Sequence, residues 1–487
     1  TDYIVLAALL AIGAAIVFGS LQEIVEEVDD AVAAAEKIDN SVAVLPFANL
    51  DSNPDTGYFS DGVTEEILHR LSSLRALHIL SQTSSFAFRN SDEGPARISE
   101  LLGVRYLLLG SVRRDKDYVR VTARLIDDTG YQVWSETFDR KLDGIFAIQS
   151  EIASTVASNI ERQVIPPAEL PAGRTTTNMD AYDAYLVGRA YVSARTPDWD
   201  DKAIAAFEEA IRLDENYAPP YAGLAIALSI NNPNWNDVRE SIVQAAETAI
   251  ELDPELAEGH AAFGLMLLDH ALSVGDRENN LERAERSLRR ALELDPSLST
   301  GYSWLSSTLA AQGRVEEADA VLEQGLLIDP LHPVMSYNMA EKLKKQGERE
   351  RAEQLLLRLT YLPEPPWTAY AGLYRLFIEV GEYDKALHWA KQIALLNANS
   401  RRSLFSAFLA GCYERLGLAE DADYWLAKAL ARTPQPTQRF FYAAAQHRIR
   451  GNPAGLREEI DELETALGDD LDQLLLTDGN LYASANI

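Results

Sequence analysis

Cysteine is almost absent: Cys412 stands alone among 487 residues. No disulfide can form within the chain, and no cysteine-rich zinc site is available. A lone cysteine in a helical pattern reads as a small core residue. Basic residues are also scarce, with 44 Lys and Arg against 75 Asp and Glu, a net charge of −31. Phosphate backbones and anionic lipid need clustered cations, so nucleic acid is not expected as a partner of these residues. The acidic balance favours solubility and basic partners. The seven histidines are scattered, and no HExxH, CxxC, GxSxG or phosphate-loop pattern occurs. The expectation is no metal, no nucleotide, no cofactor and no catalytic site, and so no enzyme within these residues.

What is present begins with a long apolar run. Residues 3–22 carry no charge and match the length that crosses a bilayer core. A transmembrane helix is expected over residues 1–22. The competing reading is a signal-peptide core, which lacks its basic leading segment here. An acidic juxtamembrane helix follows over residues 23–40, with Glu23, Glu26, Glu27, Asp29, Asp30 and Glu36 before Lys37. Cytoplasmic flanks are rich in Lys and Arg, so the remainder is expected to face away from the cytoplasm. The chain starts at Thr1 instead of Met, which suggests processing or residues missing upstream. Small residues Ala7, Ala8, Ala11, Ala14 and Ala15 permit helix–helix packing, which leaves a homo-oligomer open.

The pattern changes over residues 41–164. A strand at 41–47, a helix at 59–74, a strand at 77–81 and a helix at 96–102 ended by Gly103 are expected. Strands at 106–113, 118–127 and 132–139 and a closing helix at 143–163 follow. Val119, Val121, Ala123 and Leu125 alternate with Arg120, Thr122 and Arg124, which predicts one buried face. Asp61 or Thr64 is the candidate cap of the first helix. Arg113 and Arg114 beside Asp115 read as a hairpin surface. The Arg120/Arg124 stripe reads as a solvated face, or as an anion or partner site. The carboxylates of Asp61, Glu65 and Glu66 share one helix face, whereas acid–base chemistry needs them opposed across a cleft.

The segments SVAVLPFANL from Ser41, YFSDGVTEEIL from Tyr58, SSFAFR from Ser84, LLGVRYLLLGSVRR from Leu101 and YQVWSETFDR from Tyr131 resemble the TolB amino-terminal-like domain. In that family the domain sits between a membrane helix and tetratricopeptide (TPR) repeats. Such chains often begin with a cytoplasmic winged-helix or class III adenylate cyclase-type output domain, and neither is present in this sequence. The resemblance implies a bacterial inner-membrane, single-pass protein with periplasmic C-terminal domains.

A Pro-rich linker occupies residues 165–178. From residue 179 to 467 the chain repeats itself: AIRLDENY from Ala210, AIELDPEL from Ala249, ALELDPSL from Ala291, GLLIDPLH from Gly325 and ALARTPQP from Ala429. The period is 34 residues between Pro296 and Pro330. Gly313, Gly347, Gly381 and Gly417 fall at the turn inside each helix pair, and Ala318, Ala352, Ala386 and Ala422 where the helices meet. These features, with AYDAYLVGRAY before AIAAFEEAIRLD, resemble a TPR array of about eight repeats, closed by a tail at 468–487.

The expected fold class is α+β overall: one membrane helix, a small mixed α/β domain, then an all-α TPR superhelical solenoid. Trp304, Asn338 and Arg375 fall where inner-groove residues lie and are candidates for holding a protein or peptide. Each also has a plain reading, as packing for Trp304 and as solvated groups for Asn338 and Arg375. Trp199, Trp235, Trp367, Trp389 and Trp425 read as packing residues or loop anchors. Two functions fit: the extracytoplasmic sensory part of a signalling protein whose output domain lies upstream, or a stand-alone membrane-tethered scaffold or accessory subunit.

Overall fold

A computed structural model describes residues 38–161 and 176–431, together with 450 and 454. Short breaks fall at 52–55, 73, 75–76, 90, 116–117, 142–143, 177, 195–198, 231–234, 274–276, 363–364 and 397–403. The expected membrane helix, nearly all of the acidic helix and of the eighth repeat, most of the linker, and the tail lie outside the described residues. Among the described residues no helix is long and apolar enough to cross a membrane. The chain divides into two compact units, Thr1–Met339 and Ala340–Ile487.

The first unit opens with a mixed sheet. Its strands are β1 (Ile38–Val44), β2 (Ala48–Asn49), β3 (His78–Ile79), β4 (Val104–Asp115), β5 (Tyr118–Asp127) and β6 (Gln132–Lys141). The order is β3-β1-β4-β5-β6, with β2 beside β4. β1 runs parallel to β3 and β4, while β4, β5 and β6 are antiparallel neighbours. The alternation expected in β5 is present: Val119, Val121, Ala123 and Leu125 are buried, and Arg120 and Arg124 are exposed. Helices α1 (Gly57–Ser72), α2 (Gln82–Phe86), α3 (Pro95–Leu102) and α4 (Ile145–Glu161) complete this part. Pro95 starts α3 and Gly103, at φ 69°, stops it.

One core joins sheet and helices, with Val42, Val44, Leu108 and Val121 against Val63 and Ile67 of α1 and Ile148, Ile152 and Val156 of α4. Burying each such side chain contributes about 1.5–3 kcal/mol. Two short elements, β2 and α2, were not expected. α1 starts at Gly57, so Asp61 and Thr64 lie inside it and neither is its cap. Thr64 Oγ1 donates to Ser60 O at 2.8 Å and accepts from the Phe47 amide at 3.0 Å, tying α1 to the end of β1. Asp61 pairs instead with Arg89 at 2.7 Å.

Helix pairs follow. The first unit holds α5 (Met179–Ala194) with α6 (Trp199–Leu213), α7 (Ala218–Ser229) with α8 (Trp235–Leu252), α9 (Ala257–Ser273) with α10 (Arg277–Leu294), and α11 (Ser299–Ala311) with α12 (Val315–Ile328). Next in the chain come α13 (Pro333–Lys345) and α14 (Arg349–Thr360). The second unit holds α15 (Trp367–Val380) with α16 (Tyr383–Leu396), and α17 (Leu404–Arg415) with α18 (Ala419–Ala431). Within a unit each pair also packs on the next: α6 on α7, α10 on α11, α16 on α17. No pair buries its own face, so neighbours must stack.

The local signals act as expected. Gly313, Gly347, Gly381 and Gly417 have φ of 81°, 81°, 85° and 75°. A β-carbon is strained there, and glycine is not. Around Gly313 the Arg314 amide reaches Leu309 O and the Gly313 amide reaches Ala310 O, the two bonds of a Schellman stop. The long bond recurs from Glu348 to Leu343 O, Glu382 to Phe377 O and Leu418 to Tyr413 O. Ala318, Ala352, Ala386 and Ala422 are all buried. A larger side chain would hold the paired helices apart. The result is a mostly helical, TPR-like array preceded by a small strand sheet.

Candidate protein-interaction site

The sheet part does not stand apart from the first repeats. Gly62 of α1 lies against Leu186 of α5 so closely that a β-carbon would overlap the leucine. Tyr182, Tyr185 and Leu186 of α5 belong to the same core as the sheet. Around this contact run charged ties. Arg189 of α5 pairs with Glu65 at 2.7 Å and donates to Gln82 Oε1 at 3.0 Å. Arg114, read from sequence as a hairpin surface, instead pairs with Asp183 of α5 at 2.8 Å and lies 4.9 Å from the Phe59 ring centre. Burial raises the Asp183 carboxyl, and Arg114 opposes that rise.

A second contact reaches two repeat turns much later in the chain. In the turns after α6, α8 and α10, Asp214, Asp253 and Asp295 each accept the amide two residues ahead, closing an Asx turn. The turn after α12 differs. Ser84 Oγ donates to Asp329 Oδ1 at 2.5 Å and accepts from the Leu331 amide at 3.0 Å. The serine hydroxyl of α2 is thus inserted into the turn, in place of the direct bond. Beside it the Ser81 amide caps Ile328 O, and His78 Nε2 caps Leu327 O, both at 2.9 Å. These are end carbonyls of α12, which the helix itself leaves unpaired. A carbonyl only accepts, so His78 carries its proton on Nε2.

Asp295 receives the end of α1 in the same manner. His69 Nδ1 lies 3.2 Å from Oδ2, and Ser72 Oγ donates to Oδ1 at 3.1 Å. Burial alone would raise this carboxyl. The His69 hydrogen bond and charge, with two bonds from Ser297, outweigh it and hold Asp295 well below the usual carboxylate range.

The three groove candidates do not come together as one described site. Trp304, on α11, is half-buried and packs on the cluster of Leu288, Leu305, Leu309, Ala318 and Val321. Asn338, on α13, is exposed. Arg375, on α15 in the second unit, pairs with Glu341 at 3.5 Å and Glu379 at 3.9 Å, and Lys344 shares both carboxylates. Among the other tryptophans, Trp389 is buried and stacks on Tyr370, whereas Trp367 is exposed. Cys412 is fully buried, and burial pushes its thiol up to about 12, which leaves it unreactive. Asp61 pairs with Arg89 and Glu65 with Arg189, while Glu66 is buried. Among the described residues no three His, Cys, Asp or Glu side chains converge as a metal site needs.

Sequence reasoning missed His69, Ser84, Arg114, Asp295 and Asp329. The recurrent aspartate of the repeat turn was visible in the LDP motifs. Its partners lie more than two hundred residues earlier, and no local pattern announces them.

No protein-family profile matches the chain. A protein of Rhizobium meliloti (strain 1021) named "Putative adenylate cyclase 3" is 33% identical over 234 residues, 47% of this chain and 40% of that protein. The Protein CTR9 homolog of Arabidopsis thaliana is 23% identical over 204 residues, 40% of this chain and 18% of that one. The chain therefore spans less than half the length of either relative. Among solved structures, the Cut9 and Hcn1 hetero-tetramer of the APC/C has a chain 13% identical with a TM-score of 0.42, covering 66% of this chain and 57% of that one.

Proposed function

We propose that the chain is a protein-interaction scaffold and the extracytoplasmic sensory part of a signalling protein. A partner protein or peptide binds the helical array, and the α/β domain is carried with it as one piece. The observation behind this reading is the insertion of Ser84 into a repeat turn. It ties the α/β domain to the array at a second place besides α5, so a displacement of the repeats on binding moves the domain as well. Trp304 and Asn338 in the first unit, and separately Arg375 in the second, remain proposed partner contacts, with Arg375 exchanging Glu341 and Glu379 for a partner's carboxylate.

The membrane anchor at residues 1–22, the TolB-like family, the inner-membrane location and the upstream output domain belong to this proposal. The 33% identity with a cyclase-named protein that is more than twice as long as the matched region supports it. The second reading is a membrane-tethered scaffold or accessory subunit, supported by the stacked helical repeats, an architecture that commonly bridges proteins. Intact mass of the native protein extracted from its membrane, with its N-terminal peptides sequenced, separates the two. A mass well above the 53.9 kDa of this chain, with an added catalytic or DNA-binding segment, supports the sensory reading. A mass near that value contradicts it.

A further inference from the structure

The face of the sheet turned away from α1 and α4 carries more cations than carboxylates, Arg113, Arg120, Arg124 and Lys141 against Asp115 and Asp139, in an otherwise strongly acidic chain. It is built by β4, β5 and β6. Arg113 of β4 stands directly opposite Arg120 of β5, and Arg124 lies on the same face of β5 beside Leu109 and Ser135. All three arginines are exposed. Like charges directly opposed on neighbouring strands destabilise a sheet. Here only Arg120 is relieved, by a two-pronged pair with Asp139 at 2.7 and 3.0 Å. Arg113 and Arg124 have no charged partner among the described residues. Between the arginines stand hydroxyls: Ser111 and Thr137 flank Thr122 in register, with Thr122 and Thr137 3.2 Å apart. Arginine forks and hydroxyl donors are the groups that recognise carboxylates.

We propose that this face binds an acidic, extended segment of a partner protein. Charge selects the occupant. A long polyanion such as nucleic acid, or an anionic membrane, extends past the sheet and comes within a Debye length of the acidic surface that gives the chain its net charge of −31. A short peptide a few ångströms from the sheet feels mainly the local arginines, because salt screens charges beyond about 8 Å. Spacing selects the conformation. Arg120 and Arg124, four residues apart on one strand, are separated by about 13 Å, the span between carboxylates at i and i+4 of an extended chain. This surface uses none of the groove residues, so its failure and failure of the groove reading are separate results.

The test is fluorescence anisotropy on the full chain with a labelled peptide of alternating glutamate and serine, against the same peptide with glutamine for glutamate. The expected result is binding of the glutamate peptide about tenfold tighter than the glutamine one, weakening with added salt. The combined Arg113→Gln, Arg120→Gln, Arg124→Gln variant loses that preference with little change in melting temperature, since its positions are exposed. Arg140→Gln, which removes a cation at the far side of β6, keeps it. No preference in the native chain, equal binding by the triple variant, or equal loss in Arg140→Gln overturns the proposal.

Discussion

Ser84 does more than its size suggests. Its hydroxyl donates to Asp329 and accepts from Leu331, and both contacts are buried. Ser84→Ala leaves a buried carboxylate oxygen and a buried amide short of a partner, so the expected loss is about 1–3 kcal/mol of stability, read as a lower urea midpoint. Gly62 is tested in the opposite direction. Gly62→Ala drives a methyl into Leu186, which costs about 1–3 kcal/mol through overpacking. The double variant with Leu186→Ala should be less destabilised than the sum of the two single changes; full additivity would mean that the two residues do not meet. Asp269 of α9 gives a pH signature. Burial raises its carboxyl to about 6 in the folded chain from 3.8. A raised acid favours folding below its unfolded value, and that contribution fades as pH rises through about 6. Asp269→Asn should therefore stabilise the protein at pH 8 by about 1–2 kcal/mol and leave it nearly unchanged at pH 4, which melting curves at the two pH values will read.

The repeat helices were legible at the scale of the element because their causes are local. A glycine at positive φ stops the first helix of a pair, and an alanine a few residues on admits the second. Both recur at 34-residue intervals from Gly313 to Gly381 and from Ala318 to Ala386. Gly347→Ala should cost about 1 kcal/mol or more, since its φ of 81° strains any β-carbon; an unchanged melting temperature would show that the turn relaxes. β5 was equally legible from its alternation of small apolar residues and arginines. The start of α1 was not. Asp61 and Thr64 carry the chemistry of caps, but tertiary contacts with Arg89 and the Phe47 amide use them inside the helix. β2 and α2, at two and five residues, are too short to show a period. The candidate site was legible only in its halves. The turn aspartates stood out by repetition, while Ser84 and His69 gained their role from a fold that brings distant segments together. Trp304 shows the converse: a groove-like position in sequence is also a packing position on α11.

At the largest scale, the α/β domain and the repeats of the first unit are tied into one body. Shared apolar core at α1 and α5, ion pairs at Arg114 and Arg189, and the two captured turns at Asp295 and Asp329 all link the same two parts. A displacement of those repeats by the proposed partner is carried to the sheet through these packed contacts. Hydrogen exchange read by mass spectrometry on the full chain tests this most directly. Peptides over 78–86 and 326–332 are expected to be protected together in the native protein, and Ser84→Ala to speed exchange in both while sparing α17 and α18. Rapid exchange in one of the two segments beside slow exchange in the other, or a Ser84→Ala effect confined to its own segment, would contradict it.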